Sequence, residues 1–405
     1  MIQFIYYVFF IFTLVYGTYF LISGFFAFKN MHKPIIKKHK PKNKFAILVA
    51  SRNEEAVIGE LVESLLEQDY PKDLYEVIVI PNNCTDNTEK VAKKAGATIM
   101  KCTVPVKSKG EVLKFAFEKL SKRKDIDAYI VFDADNIVKK DYLTHMNSAL
   151  CDGYRVAQCF RDSKNASDNW LSGSYSIFYW VQNFFFNKAR MQMGGSSSIN
   201  GTGFMIKKDV IDEFGFNTVT LTEDVEFTAM CAINNEKIGF ATDAITYDEQ
   251  TNSFDVSWKQ RKRWSFGTME CLREYFPTLL KKGIKERNFE CFDVGLFYLS
   301  VISHVVFNLL PIFLLINIII HFDSLTFDNM LYKIIFIVIS YLFGVVVRII
   351  LLKRYNKSFK DNIGGVLLFD LFVFSWLPIN FICLFIKSCN WDSIKHNRSV
   401  DIENV

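Results

Sequence analysis

At 405 residues, half of them hydrophobic and with a mean hydropathy of +0.13, the chain has room for a large globular domain but is too apolar for a purely soluble protein. A net charge of +5 is too mild to argue for nucleic acid as a partner. Nine scattered cysteines without a CxxC pair speak against a disulfide or zinc framework and read as reduced thiols.

The chain opens on an apolar run, Ile2 to Phe28, long enough for a hydrocarbon core that takes about 20 helical residues per span. No basic residue precedes it and "KNMHKPIIKKHKPKNK" follows, which is the pattern of an uncleaved anchor rather than a signal peptide. By the positive-inside rule the basic stretch, and the domain after it, is expected in the cytoplasm. Three further apolar runs lie at about 293–322, 331–352 and 364–387. Lys353, Arg354, Lys357 and Lys360 place the loop after the second of them inside, whereas "HFDSLTFDNM" before it suits the outside. Strict alternation would leave the basic tail "KSCNWDSIKHNRS" outside. Either the last run, broken by Pro378, stops short of spanning, or the charge rule fails there.

Between these ends the chain alternates strand and helix. "KFAILVA", "YEVIVI", "ATIMKC" and "DAYIVFDADN" read as strands, separated by the helical patterns "EEAVIGELVESLLEQ", "TDNTEKVAKKAG" and "GEVLKFAFEKLSK". Such alternation predicts an α/β domain with a parallel sheet covered on both faces, and ligands at the carboxyl ends of its strands. The polar clusters "SRNEE", "PNNCTD" and "DAD" fall there. No GxGxxG or GxxxxGK[ST] follows the first strand, which argues against a dinucleotide or P-loop site.

Asp133 and Asp135 stand one residue apart at the end of an apolar strand, where i and i+2 side chains point the same way and both carboxylates reach one hard cation. The plainer reading is a solvated turn, which Asp and Asn favour. "LTEDVEF" carries Glu223, Asp224 and Glu226 behind Thr222, which is also an ordinary helix N-terminus. In "WKQRKRW", residues 258–264, Lys259, Arg261, Lys262 and Arg263 surround Gln260 between two tryptophans. Arginine suits a phosphate and tryptophan a sugar face, although a basic amphipathic helix on anionic lipid has the same composition and the two roles are compatible.

Taken in order, Asp133-x-Asp135, Thr222-Glu223-Asp224 and Gln260-x-x-Arg263-Trp264 resemble the membrane-embedded family 2 glycosyltransferases, which include cellulose, hyaluronan and poly-N-acetylglucosamine synthases and glucosylceramide synthase. The resemblance covers about residues 1–390. It implies a Rossmann-like GT-A domain flanked by transmembrane helices, a UDP-sugar donor, and Mg²⁺ or Mn²⁺ held by Asp135 and Asp133 on the donor diphosphate. Asp224 would be the base, with Glu223 beside it; Gln260 and Arg263 would hold the diphosphate and Trp264 would face the acceptor sugar. Glu54 matches a uridine contact, Lys109 a basic residue near the nucleotide, and "INGTGF", with Gly203, an acceptor-side loop. Asn82 stands where relatives commonly carry an aspartate against uracil, which an amide can also hydrogen-bond. Arg261 and Lys262, at the unspecified positions, are expected to meet lipid phosphates or solvent.

The expected organisation is an anchor (1–28), a basic linker (29–43), a cytoplasmic transferase domain (44–250), an interfacial segment (251–290), a membrane region (291–390) and a tail (391–405). The expected function is inverting transfer onto a growing β-linked polysaccharide in a multi-pass cell-membrane protein, possible partners being further copies or export subunits. Single transfer to a lipid acceptor is the alternative, because four candidate spans are few for a private channel. A silent sugar-nucleotide-binding export partner is the third reading.

Overall fold

The computed structural model describes residues 2–29, 36–320 and 327–389. The tail 391–405, part of the basic linker and the first residues of the loop at 321–330 therefore lie outside the described residues.

Seven-residue strands β1 (Phe45–Ser51) and β2 (Tyr75–Pro81) run parallel, as do β1 and β4 (Ala128–Asp133), with the short β3 (Thr98–Ile99) on the outer edge. Helices α2 (Ile58–Leu66), α3 (Thr88–Lys94) and α4 (Lys109–Leu120) connect them. The alternation along β1 is a two-sided burial: Phe45, Ile47 and Val49 pack with Leu61 and Leu65 of α2, while Ala46 and Leu48 pack with Val112 and Ala116 of α4. Parallel strands buried on both faces read as continuous apolar runs, and these do.

Beyond β4 the sheet turns mixed, which corrects the expectation of an all-parallel sheet. The eight strands run in the order β3-β2-β1-β4-β7-β6-β8-β5. Strand β7 (Phe204–Lys207) is antiparallel to both β4 and β6 (Val156–Ser163), β6 is parallel to β8 (Ile238–Asp248), and β8 is antiparallel to β5 (Ile137–Val138). A strand inserted in the reverse direction needs no crossover helix, so helical periodicity gave no sign of it. Helices α5 (Tyr142–Cys151), α6 (Trp170–Val181), α7 (Ala189–Met193), α8 (Lys208–Phe214) and α9 (Glu223–Ile233) complete this part, with a π-helical turn at Gln182–Lys188 between α6 and α7.

Helix α1 (Ile2–Phe25) precedes the sheet; α10 (Phe254–Lys285), α11 (Phe289–Tyr298), α12 (Ser300–Ile320), α13 (Phe327–Arg354), α14 (Ile363–Phe374) and α15 (Leu377–Phe385) follow it. Among the described residues, two stretches are long and apolar enough to cross a membrane, Phe4–Phe28 and Ile363–Phe385, and a third results if α11 and the first part of α12, bent by 51°, count as one. Among the contacts that bind this region to the sheet domain are two that are close-packed or buried. Helices α6 and α14 cross at Gly173 and Gly365, where a Cβ on Gly365 would stand 2.6 Å from the Gly173 backbone. The buried Arg190 of α7 grips Asp293 of α11 with Nε at 2.6 Å, and Tyr19 of α1 donates to the same carboxylate at 2.5 Å.

Candidate active site

A cavity of about 510 Å³ opens where the carboxyl ends of β1, β2 and β4 face α10. Strand β4 stops at Asp133, and Ala134 and Asp135 form a turn before β5. Strand parity therefore does not carry the two carboxylates to one side. Both nevertheless line the cavity. Buried Asn136 fixes that turn: its Oδ1 accepts from Thr202 and Thr246, each at 2.9 Å, and Thr202 in turn takes the Asp133 N–H at 2.9 Å. Lys109 at the start of α4 bonds Asp133 at 2.6 Å and the Gly201 carbonyl at 2.5 Å, and lies 3.5 Å from Glu223. Burial works against its charge, but Asp133 and Glu223 outweigh it and hold its pKa above the usual value.

The three acids of the next motif divide their work. Glu226 is fully buried and clamps the preceding loop, accepting from Val219, Thr220 and Tyr275. Glu223 faces Lys109. Asp224 lines the cavity, and burial, reinforced by Glu223, pushes its carboxyl up to about 7 against the pull of Lys109 and Arg161. A carboxyl raised in this way toward neutral pH suits a general base.

Helix α10 forms the opposite wall. Gln260, Arg263 and Trp264 are spaced i, i+3, i+4, so one helical face brings all three to the cavity. Arg263 has no ion-pair or hydrogen-bond partner among the described residues. Trp264 stands among aromatic rings, 6.1 Å from Tyr175, 6.5 Å from Tyr179 and 6.2 Å from Trp376. Arg261 contradicts the sequence expectation. It meets neither lipid nor solvent but is fully buried, donating to the Phe372 carbonyl at 3.2 Å and Ser375 Oγ at 2.8 Å. The cause is periodicity: Ser257, Arg261 and Ser265 share the face that packs on α14 and α15.

Glu54 and Asn82 also line the cavity, and the Asn82 amide is tied to the Ser51 carbonyl at 2.9 Å. Gly203 does not line it. Its φ is +60° and a Cβ there would stand 2.3 Å from Cys159 Sγ, so the residue serves close packing of β7 on β6, while Gly201 borders the cavity. Sequence reasoning missed Arg161, whose guanidinium lies 4.1 Å from the Tyr179 ring centre and pairs with Asp248. A charged residue directly after the apolar run "VAQCF" was its only signal. It also missed His304 and Asn380, polar residues on apolar helices at the deep end, where Asn380 Nδ2 lies 3.1 Å from His304 Nδ1.

The residues fit a divalent cation in one specific manner. Among the described residues no three His, Cys, Asp or Glu side chains gather as a ready-made cage. Asp133 and Asp135 supply two carboxylates on an open cavity, the donor set of an ion that completes its shell with substrate phosphates and water.

The sequence profile of the family described as "Glycosyltransferase like family 2" matches residues 41–267. The probable glycosyltransferase YdaM of Bacillus subtilis is 24% identical over 396 residues, 92% of this chain and 90% of that protein. The β-monoglucosyldiacylglycerol synthase of a Nostoc species is 27% identical over 264 residues, covering 63% of this chain but only 55% of its own length. The poly-β-1,6-N-acetyl-D-glucosamine synthase of Staphylococcus epidermidis is 20% identical over 277 residues, 65% of this chain and 66% of that one. A mannosyltransferase of Pyrobaculum calidifontis, solved with GDP-mannose and Mn²⁺, superposes with a TM-score of 0.63 over 95% of this chain and 99% of its own, at 14% identity, and so shares the fold. The chain belongs to glycosyltransferase family 2.

Proposed function

We propose that the protein is an inverting, metal-dependent transferase that moves a hexose or N-acetylhexosamine from a UDP-sugar to a hydroxyl presented at the membrane. One observation carries this reading: Glu54, Asn82, Lys109, Asp133, Asp135, Glu223, Asp224, Gln260, Arg263 and Trp264, drawn from segments far apart in sequence, border a single cavity. In this reading Arg263 and Gln260 hold the diphosphate from the helix wall while Glu54 and Asn82 receive the uridine. Asp133 and Asp135 would hold Mg²⁺ or Mn²⁺, which when bound neutralises charge on the leaving diphosphate. The acceptor oxygen bonds to the anomeric carbon as the bond to phosphate breaks; the acceptor proton passes to Asp224, UDP departs, and attack from the opposite face inverts the centre.

The aromatic platform of Trp264, Tyr179 and Trp376 favours an acceptor with sugar rings, and hence a growing β-linked polysaccharide. A second reading rests on the deep end of the cavity. There Phe297 and Val301 from α11 and α12, with Val373 of α14, extend an apolar floor toward the membrane helices, which suits a lipid acceptor. Membranes carrying the protein, incubated with a panel of labelled UDP-sugars, should place label in polymer under the first reading and in the lipid extract under the second. Label in neither, with any sugar and either metal, would refute transfer.

A further inference from the structure

A second charged site lies apart from the cavity, where the ends of two apolar helices meet the π-helical turn. Lys188, the last residue of that turn, places its ammonium 5.1 Å from the Phe184 ring centre, and the Arg354 guanidinium at the end of α13 lies 5.0 Å from the same ring. Lys188 is only 6% exposed, yet among the described residues neither cation has a carboxylate partner. Burial first, and the charge of Arg354 second, depress the Lys188 ammonium to about 8. Two like charges against one ring, one of them desolvated, are an unfavourable arrangement that an anion would relieve.

The surroundings narrow the class of anion. Ala27, Phe184, Ala189 and Leu351 form a buried apolar cluster under the two cations, and Phe28 packs on the Phe184 ring at 5.3 Å. From this point the outer faces of α1 and α13 run away predominantly apolar: Phe25 is 74% exposed on the first, and Ile350 is 54% exposed on the second. Apolar faces of this kind lie against acyl chains, and basic groups without a carboxylate partner at the level where they end bind lipid head groups. Neighbouring Lys357 does not belong to the set, because it is paired with Asp162 at 2.8 Å.

We infer that Lys188 and Arg354 clamp the phosphate of an anionic phospholipid, whose acyl chains lie along the exposed faces of α1 and α13. The site does not overlap the catalytic cavity: none of Lys188, Phe184 and Arg354 lines it. The π-helical turn nevertheless joins the two. Its first residue, Gln182, lines the cavity and donates to Asn200 Oδ1 at 3.2 Å, and Asn183 donates to the Arg161 carbonyl at 2.8 Å. An occupied lipid site holds the far end of the turn that carries these contacts. π-Turns of this kind recur at functional positions.

The test needs no knowledge of donor or acceptor. The full chain, purified in neutral detergent, is titrated with short-chain phosphatidylglycerol, short-chain phosphatidylcholine and inorganic phosphate, and bound ligand is counted by native mass spectrometry. Phosphatidylglycerol should bind at least tenfold tighter than phosphatidylcholine. Replacing each cation by Met should weaken it about fivefold, and the pair by roughly 25-fold, from the worth of a basic residue beside an anionic head group. Lys188→Arg should restore binding. Should Lys188→Met fail to fold, Arg354→Gln on the exposed side carries the test alone. Equal retention of both lipids, or phosphatidylglycerol binding indifferent to Arg354→Gln, would overturn the site. Inorganic phosphate binding as tightly as the lipid would also overturn it, as a free-anion site.

Discussion

The two walls of the cavity manage charge in opposite ways. On the sheet wall three acids that border the cavity are met by a cation or a hydrogen bond: Lys109 lies on Asp133, Arg161 on Asp248, and Asn136 donates to Asp135 at 2.9 Å. On the helix wall Arg263 lines the cavity without an ion-pair or hydrogen-bond partner among the described residues, two residues from an arginine buried against backbone carbonyl and hydroxyl. The acids of the sheet wall thus already have partners within the chain, whereas the helix wall presents a cation that has none among the described residues. The first arrangement sets protonation and position; the second sets affinity for an anion.

The largest effect should come from the sheet wall. Asp224→Asn preserves shape but cannot take a proton, so turnover should fall by about 10²–10⁴-fold while UDP affinity is retained. Because the Asp224 carboxyl is raised to about 7, and the base works ionised, wild-type turnover should rise as pH climbs through 7 and fall on the acid side. Glu223→Gln removes the neighbouring negative charge and should move that limb to lower pH. A pH profile flat from 5 to 9 in all three proteins would remove Asp224 as the base. Next in size, Asp135→Asn should lower turnover by ~10²–10³-fold, as losing one preorganised electrostatic element does, and EDTA should silence the wild type reversibly. Full turnover in excess chelator would refute the metal.

The same contrast marks what the sequence revealed. Strands β1, β2 and β4 and the acids at their ends were legible, because two-sided burial writes an apolar run and the polar break after it is where ligands go. Reversed β7 was not: four residues carry no sign of direction, and only pairing with β4 and β6 gives it one. Gln260, Arg263 and Trp264 were found by resemblance, though their helical spacing was there to be used. The opposite face, Ser257-x-x-x-Arg261-x-x-x-Ser265, sets an arginine between two small residues, a pattern of close helix approach, whereas the expectation for Arg261 was lipid phosphates or solvent. His304 and Asn380 required the tertiary fold, since each sits in an apolar run that composition assigns to the bilayer.

On the helix wall the two arginines separate cleanly. Arg263→Lys keeps charge but loses the planar fork, and should weaken UDP and UDP-sugar binding together by about 10–100-fold, with thermal stability unchanged. Arg261→Ala should do the reverse. It removes a buried guanidinium and its bonds to Phe372 and Ser375, costing about 2–3 kcal/mol of stability, with nucleotide affinity nearly intact in whatever fraction folds. Titration calorimetry with UDP and thermal unfolding of both variants measure the pair. If Arg261→Ala lost nucleotide affinity at unchanged stability, the division of the helix into a site face and a packing face would be wrong.

The smallest expected effect is also the most specific. Trp264 follows Arg263 on α10, lines the cavity and stands among the rings of Tyr175, Tyr179 and Trp376. Trp264→Phe keeps an aromatic face of reduced area and Trp264→Ala removes it. A sugar ring stacked on the indole gains about 0.5–1.5 kcal/mol beyond its burial, so Trp264→Ala should cut acceptor use about 3–10-fold, and Trp264→Phe less. UDP affinity should stay at the wild-type value in both, since the indole offers the diphosphate nothing that Arg263 does not. The loss should appear in the acceptor's KM, or as shorter product if the acceptor is a polymer. A Trp264→Ala protein that loses UDP affinity in step with turnover would show the indole to be part of the donor site, and the cavity would then have no distinct acceptor side on α10.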